Sequence, residues 1–379
     1  MRNENIIKKR NLKIEKILEE LVDIPSYDKI DRNHKIIKYL LEKFSDCNEI
    51  VLTESPNGCT NLLIGLNTSL KDLKNCILLS GHVDTVAPEN SFKKSKLKNE
   101  CLFGLGASDM KSFIATVIFN LKNIANRKVP IVLSVTSDEE TKFLGIESNI
   151  NELKKRNINP SLVIVGEPTN LQFSNCNKGA TWLTINILGK SCHASTPIYG
   201  VNAVERAVKS IYFINKLNKN LKSSSITTTK ISGGIKGNIV PSSCSFKLDI
   251  RLEKLKDYDK IKSKLLKILT KICIKKEDSS INSSKITYPF EKKRNNLFKI
   301  FAKNNNILFT ESYFTTEAGA IQKAFDNIQI IVFGPGNIQS IHSENEYIEI
   351  KNLINYSNLL MKFISEYDTI VNSSKSLNI

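Results

Sequence analysis

Four short stretches of the chain are apolar at nearly every position: Cys76–Leu79, Ile131–Val135, Leu162–Val165 and Ile328–Phe333. Runs of this length, rich in Ile, Val and Leu and without alternation, belong to strands buried on both faces. A shorter strand is expected at Asn61–Gly65. The segments between them follow the other period. Leu12, Ile14, Ile17, Leu18, Leu21 and Val22 recur at helical spacing, as do Ile36, Ile37, Leu40, Leu41 and Phe44 within Asp31–Phe44. Met110–Ile124 also reads as an apolar helix. Buried strands separated by helices predict an α/β fold, a mostly parallel mixed sheet flanked by helices.

The middle of the chain is patterned differently. Ser225–Ile231 and Ser245–Arg251 alternate apolar and polar residues, as half-exposed strands do. With a strand at Ala180–Leu188, helices at Val201–Leu221 and Tyr258–Ile274, and a fourth strand at Lys285–Phe290, the order is β-α-β-β-α-β, a ferredoxin-like α+β layer. The expected organisation is therefore a first domain over 1–177, an inserted domain over 178–288, and the return of the first domain over 289–379. No internal repeat is visible, and Asn372–Ile379 reads as a frayed end.

Composition narrows the class. The chain has 379 residues, 41% of them hydrophobic and 25% charged, in the range of a globular protein with a sizeable core. No apolar run is long enough to span a bilayer, and the basic N-terminus is followed by an amphipathic pattern rather than a signal-peptide core, so no membrane partner is expected. The formal charge of +17 raises nucleic acid as a partner. The basic residues are scattered through a chain rich in Lys, Asn and Ile, however, with no basic block and no aromatic interleaving, which points to composition rather than to a nucleic-acid surface. Eight cysteines without a Cys-x-x-Cys pair suit reduced thiols and a cytoplasmic location. Cys192 adjoins His193, but neighbours on an extended segment point to opposite faces, which makes a Cys–His nucleophile awkward.

The chemistry lies just past the apolar runs. His82 follows the first, Glu139 and Glu140 the second, Glu167 the third and, after a longer loop, His342 the fourth. Open α/β sheets bind ligands at the carboxyl ends of their strands, so these distant segments can converge. Asp109 joins from the loop Gly104–Asp109. A site for two divalent metals needs about one histidine per metal, a shared carboxylate and one terminal carboxylate for each. His82, Asp109, Glu140, Glu167 and His342 supply that count. Asp84, two residues after His82, is placed to accept the other imidazole N–H. Of the adjacent Glu139 and Glu140, one can bind metal while the other stays available as a base. His34 reads as a solvated helix residue.

These segments, in this order, resemble the two-zinc amidohydrolase and exopeptidase family that includes acetylornithine deacetylase, succinyl-diaminopimelate desuccinylase, carboxypeptidase G and aminoacylase. The likeness runs through Ser80-Gly81-His82-Val83-Asp84, Gly104-Leu105-Gly106-Ala107-Ser108-Asp109-Met110-Lys111, Ser137-Asp138-Glu139-Glu140 and Gly166-Glu167-Pro168-Thr169. It continues through His193-Ala194-Ser195-Thr196-Pro197, Asn238-Ile239-Val240-Pro241, Asp249-Ile250-Arg251 and Gly334-Pro335-Gly336 before His342. The resemblance implies a zinc-peptidase-like catalytic domain with an inserted lid or dimerisation domain, two Zn2+ per subunit (Co2+ or Mn2+ also suit the donors) and a homodimer. It implies that His82 and His342 each bind one metal, that Asp109 bridges, and that Glu140 and Glu167 are terminal ligands. Glu139 would be the general base, His193 would stabilise the oxyanion, Asn238 and Arg251 would hold a substrate carboxylate, and the peptide after Asp109 is often cis in the family. Two positions depart from the pattern: Ser112 and Cys192 stand where glycine is common.

The segment Thr315-Thr316-Glu317-Ala318-Gly319 resembles the deacetylase branch, as does Ser340-Ile341-His342-Ser343-Glu344-Asn345-Glu346. Glu317 and Gly319 are thereby substrate-binding candidates, Glu317 by attracting a cationic side chain or, alternatively, as a residue that orients backbone. The expected activity is hydrolysis of a small N-acyl amino acid, N-acetylornithine first, giving ornithine and acetate for arginine biosynthesis. A desuccinylase, a dipeptidase or aminoacylase, and a non-catalytic amino-acid-binding protein on the same scaffold are the alternatives.

Overall fold

This computed structural model describes residues 14–273, 276–292, 296–312 and 314–376. The chain divides into two compact units, one of Met1–Cys176, Lys292–Ser312 and Thr316–Ile379, the other of Asn177–Glu291 with Tyr313–Thr315.

The first unit is built on an eight-stranded sheet. Its four inner strands, Ile131–Thr136, Lys74–His82, Asn159–Val165 and Gln329–Val332, lie side by side and parallel, in that spatial order. Further strands flank them: Thr60–Gly65 with Glu49–Glu54, both antiparallel, on one side, and antiparallel Phe173–Asn177 followed by the outermost strand Phe309–Ser312 on the other. The four apolar runs of the sequence are these four inner strands, and they are buried along nearly their whole length because helices cover both faces. Leu62, Ile64, Ile77, Leu79, Ile131, Leu133, Leu162 and Ile164 pack in one core with residues of helices 14–22, Lys35–Lys43, Ser112–Phe119 and Ile350–Ser376. Their neighbours Leu63, Leu78, Val132 and Val163, pointing the other way, are equally buried. On that face Asn149, from helix Leu144–Lys155, donates to Ser134 Oγ of the sheet.

Three expectations shift. The second helix starts at Lys35, not Asp31, because Asp31 accepts the N–H of Asn33 in a turn and His34 caps the helix, its Nδ1 accepting from Ile36 N. The Met110–Ile124 helix begins at Ser112 and breaks at Asn120, since Asp109 and Met110 lie outside helical geometry. The last helix runs to Ser376 rather than fraying from Asn372. Residues 377–379 lie outside the described residues, as do Leu12 of the first helix, Ile274 and Tyr313.

The second unit is a four-stranded antiparallel sheet with strand order Ser225–Gly233, Ser243–Leu252, Gly179–Leu188, Ser279–Ser283. Helices Ala203–Lys219 and Asp257–Ile272 close one face over Leu183, Ile185, Ile187, Phe246, Leu248 and Ile250. The fourth strand is Ser279–Ser283, not Lys285–Phe290. The latter meets this sheet through a single bridge, Thr287 to Ala180, while Phe290 bridges to Asn177 ahead of the sheet, and Pro289 has no N–H to offer a ladder. Among the described residues Ser225–Gly233 is an outer strand of this sheet, and Val208, Tyr212, Ile231 and Ile235 stand exposed on this unit. The positive charge is also less scattered than expected: residues 177–291 hold 21 Lys and Arg against eight Asp and Glu.

Candidate metal centre and active site

Three of the inner strands of the first unit end at or within a few residues of a functional side chain, and the fourth, ending at Val332, leads into the longer loop that carries His342. His82 is the last residue of its strand, and Glu167 comes two residues after Val165. Both are preceded by glycines packed on the Phe113 ring. A Cβ on Gly166 would stand 2.0 Å from Phe113 Cγ, and one on Gly81 2.9 Å from Phe113 Cδ1. Only glycine lets the two strand ends close over that ring. Glu139 and Glu140 follow Thr136, and their backbone N–H groups donate to the two carboxylate oxygens of Asp84, at 3.3 and 3.0 Å.

The five expected ligands meet. His82 Nε2 lies 3.2 Å from Asp109 Oδ1 and 3.9 Å from Glu167 Oε2. His342 Nε2 lies 2.9 Å from Glu140 Oε1 and 3.4 Å from Asp109 Oδ2. The two oxygens of Asp109 thus face two different histidines. Three donor groups result, each with its ligand atoms within 4.8 Å of one another: the triads His82–Asp109–Glu167 and Asp109–Glu140–His342, which share Asp109, and a third, His82–Glu139–Glu140, which takes in the expected base. Glu139 Oε2 stands beside the first, 4.0 Å from His82 Nε2. The peptide joining Asp109 to Met110 is cis.

Burial sets the electrostatics. It opposes charge on His82, yet hydrogen bonds with Asp109 and Asp84 win and hold the imidazole well above its ordinary range. Hydrogen bonds with Asp109 and Glu140 push His342 up to about 10. Burial pushes Glu139 and Glu167 well above the usual carboxylate range, reinforced by Glu167 on the former and Asp109 on the latter. Glu140 is raised by burial against the pull of His342. Asp109 alone goes down, because the two histidines outweigh its burial. Several carboxylates this close cannot all ionise cheaply in a buried space unless a cation lies among them. Glu167 Oε1 adds a second sign, since it is buried and has no hydrogen-bond partner among the described residues. Nitrogen and oxygen donors, a shared carboxylate and an orphaned oxygen fit a divalent metal site.

Other candidates sit differently. The acceptor nearest His82 Nδ1 is the carbonyl oxygen of Asp84, at 3.0 Å, with its carboxylate at 3.5 Å. Glu317 is buried; Ser80 Oγ donates to it at 2.6 Å and Thr136 Oγ1 donates to its other oxygen. Its carboxylate therefore ties together the two strands that deliver His82 and Glu139. Gly319 is buried in the first turn of helix Ala318–Ala324. His193, Asn238 and Arg251 belong to the second unit. There the N–H of Ala194 donates to Asn238 O, His193 Nδ1 pairs with Ser195 Oγ at 2.7 Å, and Arg251 grips Asp249 with two N–H groups at 2.8 and 3.0 Å. Cys192 Sγ turns to Thr196 O, and no Cys–His pair forms. Ser112 takes ordinary helical geometry, so its position needs no glycine.

Two residues near the site escaped sequence reasoning. Lys111 is fully buried, its ammonium donating to the carbonyls of Leu21 and Ile24. Glu346 accepts the backbone N–H groups of Gly106, Ser108 and Asp109. Burial, with Asp109 adding, lifts Glu346 to about 7 against those three bonds. The signal for Glu346 was its place four residues after His342; for Lys111 there was none, since a lysine reads as solvated.

The chain is 29% identical over 381 residues to acetylornithine deacetylase from Buchnera aphidicola subsp. Schizaphis graminum, covering 93% of this chain and 97% of that one. Its fold is similar to that of a tripeptidase from Staphylococcus aureus, with a TM-score of 0.80 at 21% identity over 95% of this chain and 99% of the other. It is also similar to a dinuclear metal-binding peptidase from Bacillus subtilis, with a TM-score of 0.66 at 11% identity over 94% and 98%. Residues 78–366 match the family model described as peptidase family M20/M25/M40, a span that contains all three donor groups. This chain belongs to that family and is a metal-dependent hydrolase of its type.

Proposed function

We propose that this protein hydrolyses the amide bond of a small N-acyl amino acid, N-acetylornithine in the first place, releasing acetate and ornithine. The observation that carries the reaction type is the pair of triads sharing Asp109, with Glu139 beside them and outside both. The choice of substrate rests on the curated deacetylase relatives and on the Thr-Glu-Ala-Gly segment at 316–319.

We assign two Zn2+ per subunit, held by His82, Asp109 and Glu167 and by Asp109, Glu140 and His342. When bound, such ions polarise the acyl carbonyl and make water acidic enough to lose a proton near neutral pH. Glu139 takes that proton as the oxygen attacks the carbonyl carbon, then delivers it to the amine nitrogen as the C–N bond breaks. Asp84 holds Glu139 and Glu140 by their backbone N–H groups, so base and ligand are positioned by one carboxylate. His193 is assigned to the developing oxyanion through Nε2, since Nδ1 is engaged by Ser195. Asn238 and Arg251 are assigned to the substrate carboxylate; Arg251 keeps donors beyond those given to Asp249.

We also propose a homodimer formed through the second unit, whose outer strand Ser225–Gly233 and exposed Val208, Tyr212 and Ile231 favour a second copy. A cytoplasmic location is supported by eight free cysteines. No helix among the described residues is long and apolar enough to cross a membrane.

The test is turnover of N-acetylornithine and of N-succinyl-diaminopimelate by protein loaded with Zn2+, Co2+ or Mn2+, with and without chelator, beside Glu139→Gln. Metal-dependent release of acetate, reduced at least about 100-fold in the variant, is expected. Faster release of succinate would move the substrate to the desuccinylase branch. Binding without turnover would leave an amino-acid-binding protein on a hydrolase scaffold.

A further inference from the structure

Asp109 is the ligand common to the two assigned triads, yet it stands on neither a strand nor a regular helix. It sits in the irregular turn Ala107–Lys111 with φ −118° and ψ 95°, after Gly106 at φ 82°. Backbone N–H groups in such a turn have no ladder to satisfy them, and a buried unpaired N–H is costly. Three of them, on Gly106, Ser108 and Asp109, donate to one carboxylate. Glu346 Oε2 takes the first at 2.9 Å; Oε1 takes the other two at 2.8 and 2.9 Å. Glu346 is 2% exposed.

His342 is also a loop residue, with left-handed φ of 56° and a side chain 48% exposed. Glu346 lies one turn beyond it, its N–H donating to Ser343 O at 3.1 Å and its carbonyl accepting from Gly104 N at 2.9 Å. Ser108 reinforces the join: its hydroxyl donates to Tyr347 O at 2.7 Å and accepts from Asn337 N at 3.0 Å. The loop of Asp109 and the loop of His342 are thereby fastened together, far apart in sequence though they are. By contrast His82 and Glu167 hang directly on strand ends.

We propose that Glu346 is a positioning residue that fixes the separation of Asp109 and His342, and so sets the affinity of the Asp109–Glu140–His342 triad for its metal. This rests on the two-metal reading, and it goes beyond that reading by making the two sites unequal in what supports them. A glutamine at 346 has nearly the same shape but only one oxygen, and its NH2 would face backbone donors.

The experiment uses Glu346→Gln and Glu346→Asp in the full chain, with two readouts. The first is hydrogen exchange of the metal-free proteins over residues 104–111. The amides of Gly106, Ser108 and Asp109 are expected to be protected in the parent and to exchange at least tenfold faster in Glu346→Gln, with the strand amides of 77–82 unchanged. The second is calorimetric titration with Zn2+. The parent should bind in two steps; in Glu346→Gln one step should lose about 10–100-fold, the scale of residues that orient ligands, while the other, which shares Asp109 but otherwise hangs on the strand-end residues His82 and Glu167, should lose clearly less. Glu346→Asp, which keeps both oxygens on a shorter arm, should fall between. Unchanged exchange at 106–109, or equal loss in both steps, overturns the proposal. A parent that binds fewer than two ions instead defeats the two-metal reading, and the exchange measurement then decides the clamp by itself.

Discussion

Ser112 Oγ is buried without a hydrogen-bond partner among the described residues. A hydroxyl in that state forgoes its bonds to water without replacement. Ser112→Ala should therefore raise the unfolding free energy by about 1 kcal/mol, seen as a higher urea midpoint with an unchanged slope. Gly166 behaves in the opposite way. Its missing Cβ is the space that the Phe113 ring fills, so Gly166→Ala should cost about 2–3 kcal/mol in the same measurement and displace Glu167. At this scale the sequence was informative about donors and silent about supports. Histidines and acids past strand ends announce themselves by type and place. The carboxylate of Glu346 and the ammonium of Lys111 act through backbone groups of residues remote in sequence, and composition carries no trace of such pairings. Glu317 shows the intermediate case. Its segment stood out, but only the fold brings Ser80 and Thr136 to its two oxygens.

Elements were legible wherever burial was complete. The four inner strands had runs of Ile, Val and Leu because helices cover them on both sides, and that continuous pattern fixes both their type and their place in the sheet. The strand Ser279–Ser283 was unreadable for the same reason inverted. Only Ile281 packs, and the other four residues are polar. Breaks in helices at Asp109–Met110 and Asn120 were invisible because they lie within an otherwise apolar stretch. One packing element invites a direct check. Phe173 lies within 4.7–6.5 Å, centroid to centroid, of Phe298, Phe301, Phe309, Phe333 and Phe363. It fastens the next-to-last strand of the sheet to helices from the far end of the chain. Phe173→Ala should cost about 3–5 kcal/mol of stability, measured by denaturant unfolding.

On the scale of the molecule, the two units have separate cores, and all three donor groups lie in the first. A metal that binds only the folded first unit stabilises that unit alone, by about 2.7 kcal/mol at a hundred times its dissociation constant. The lone tryptophan, Trp182, lies in the second unit. Chelation should then lower the main calorimetric transition by several degrees while leaving the transition seen through Trp182 fluorescence in place. A joint shift of both signals would mean that the units unfold as one. The insert was recognisable from its alternating strands, whereas the concentration of charge in it was not, because lysines are common along the whole sequence.

The two ends of the second unit meet. Asn177 and Phe290 exchange both backbone hydrogen bonds, each at 3.0 Å, so the chain enters and leaves this unit at adjacent points. Residues 178–289 can thus be cut out and the gap spliced with a few glycines and serines, without stretching what remains. The trimmed protein would shed most of its excess cationic charge and elute early from a cation exchanger, carrying five ligands and Glu139 but no His193. Whether it still turns over an acylated amino acid weighs that imidazole together with Asn238 and Arg251, which leave with it.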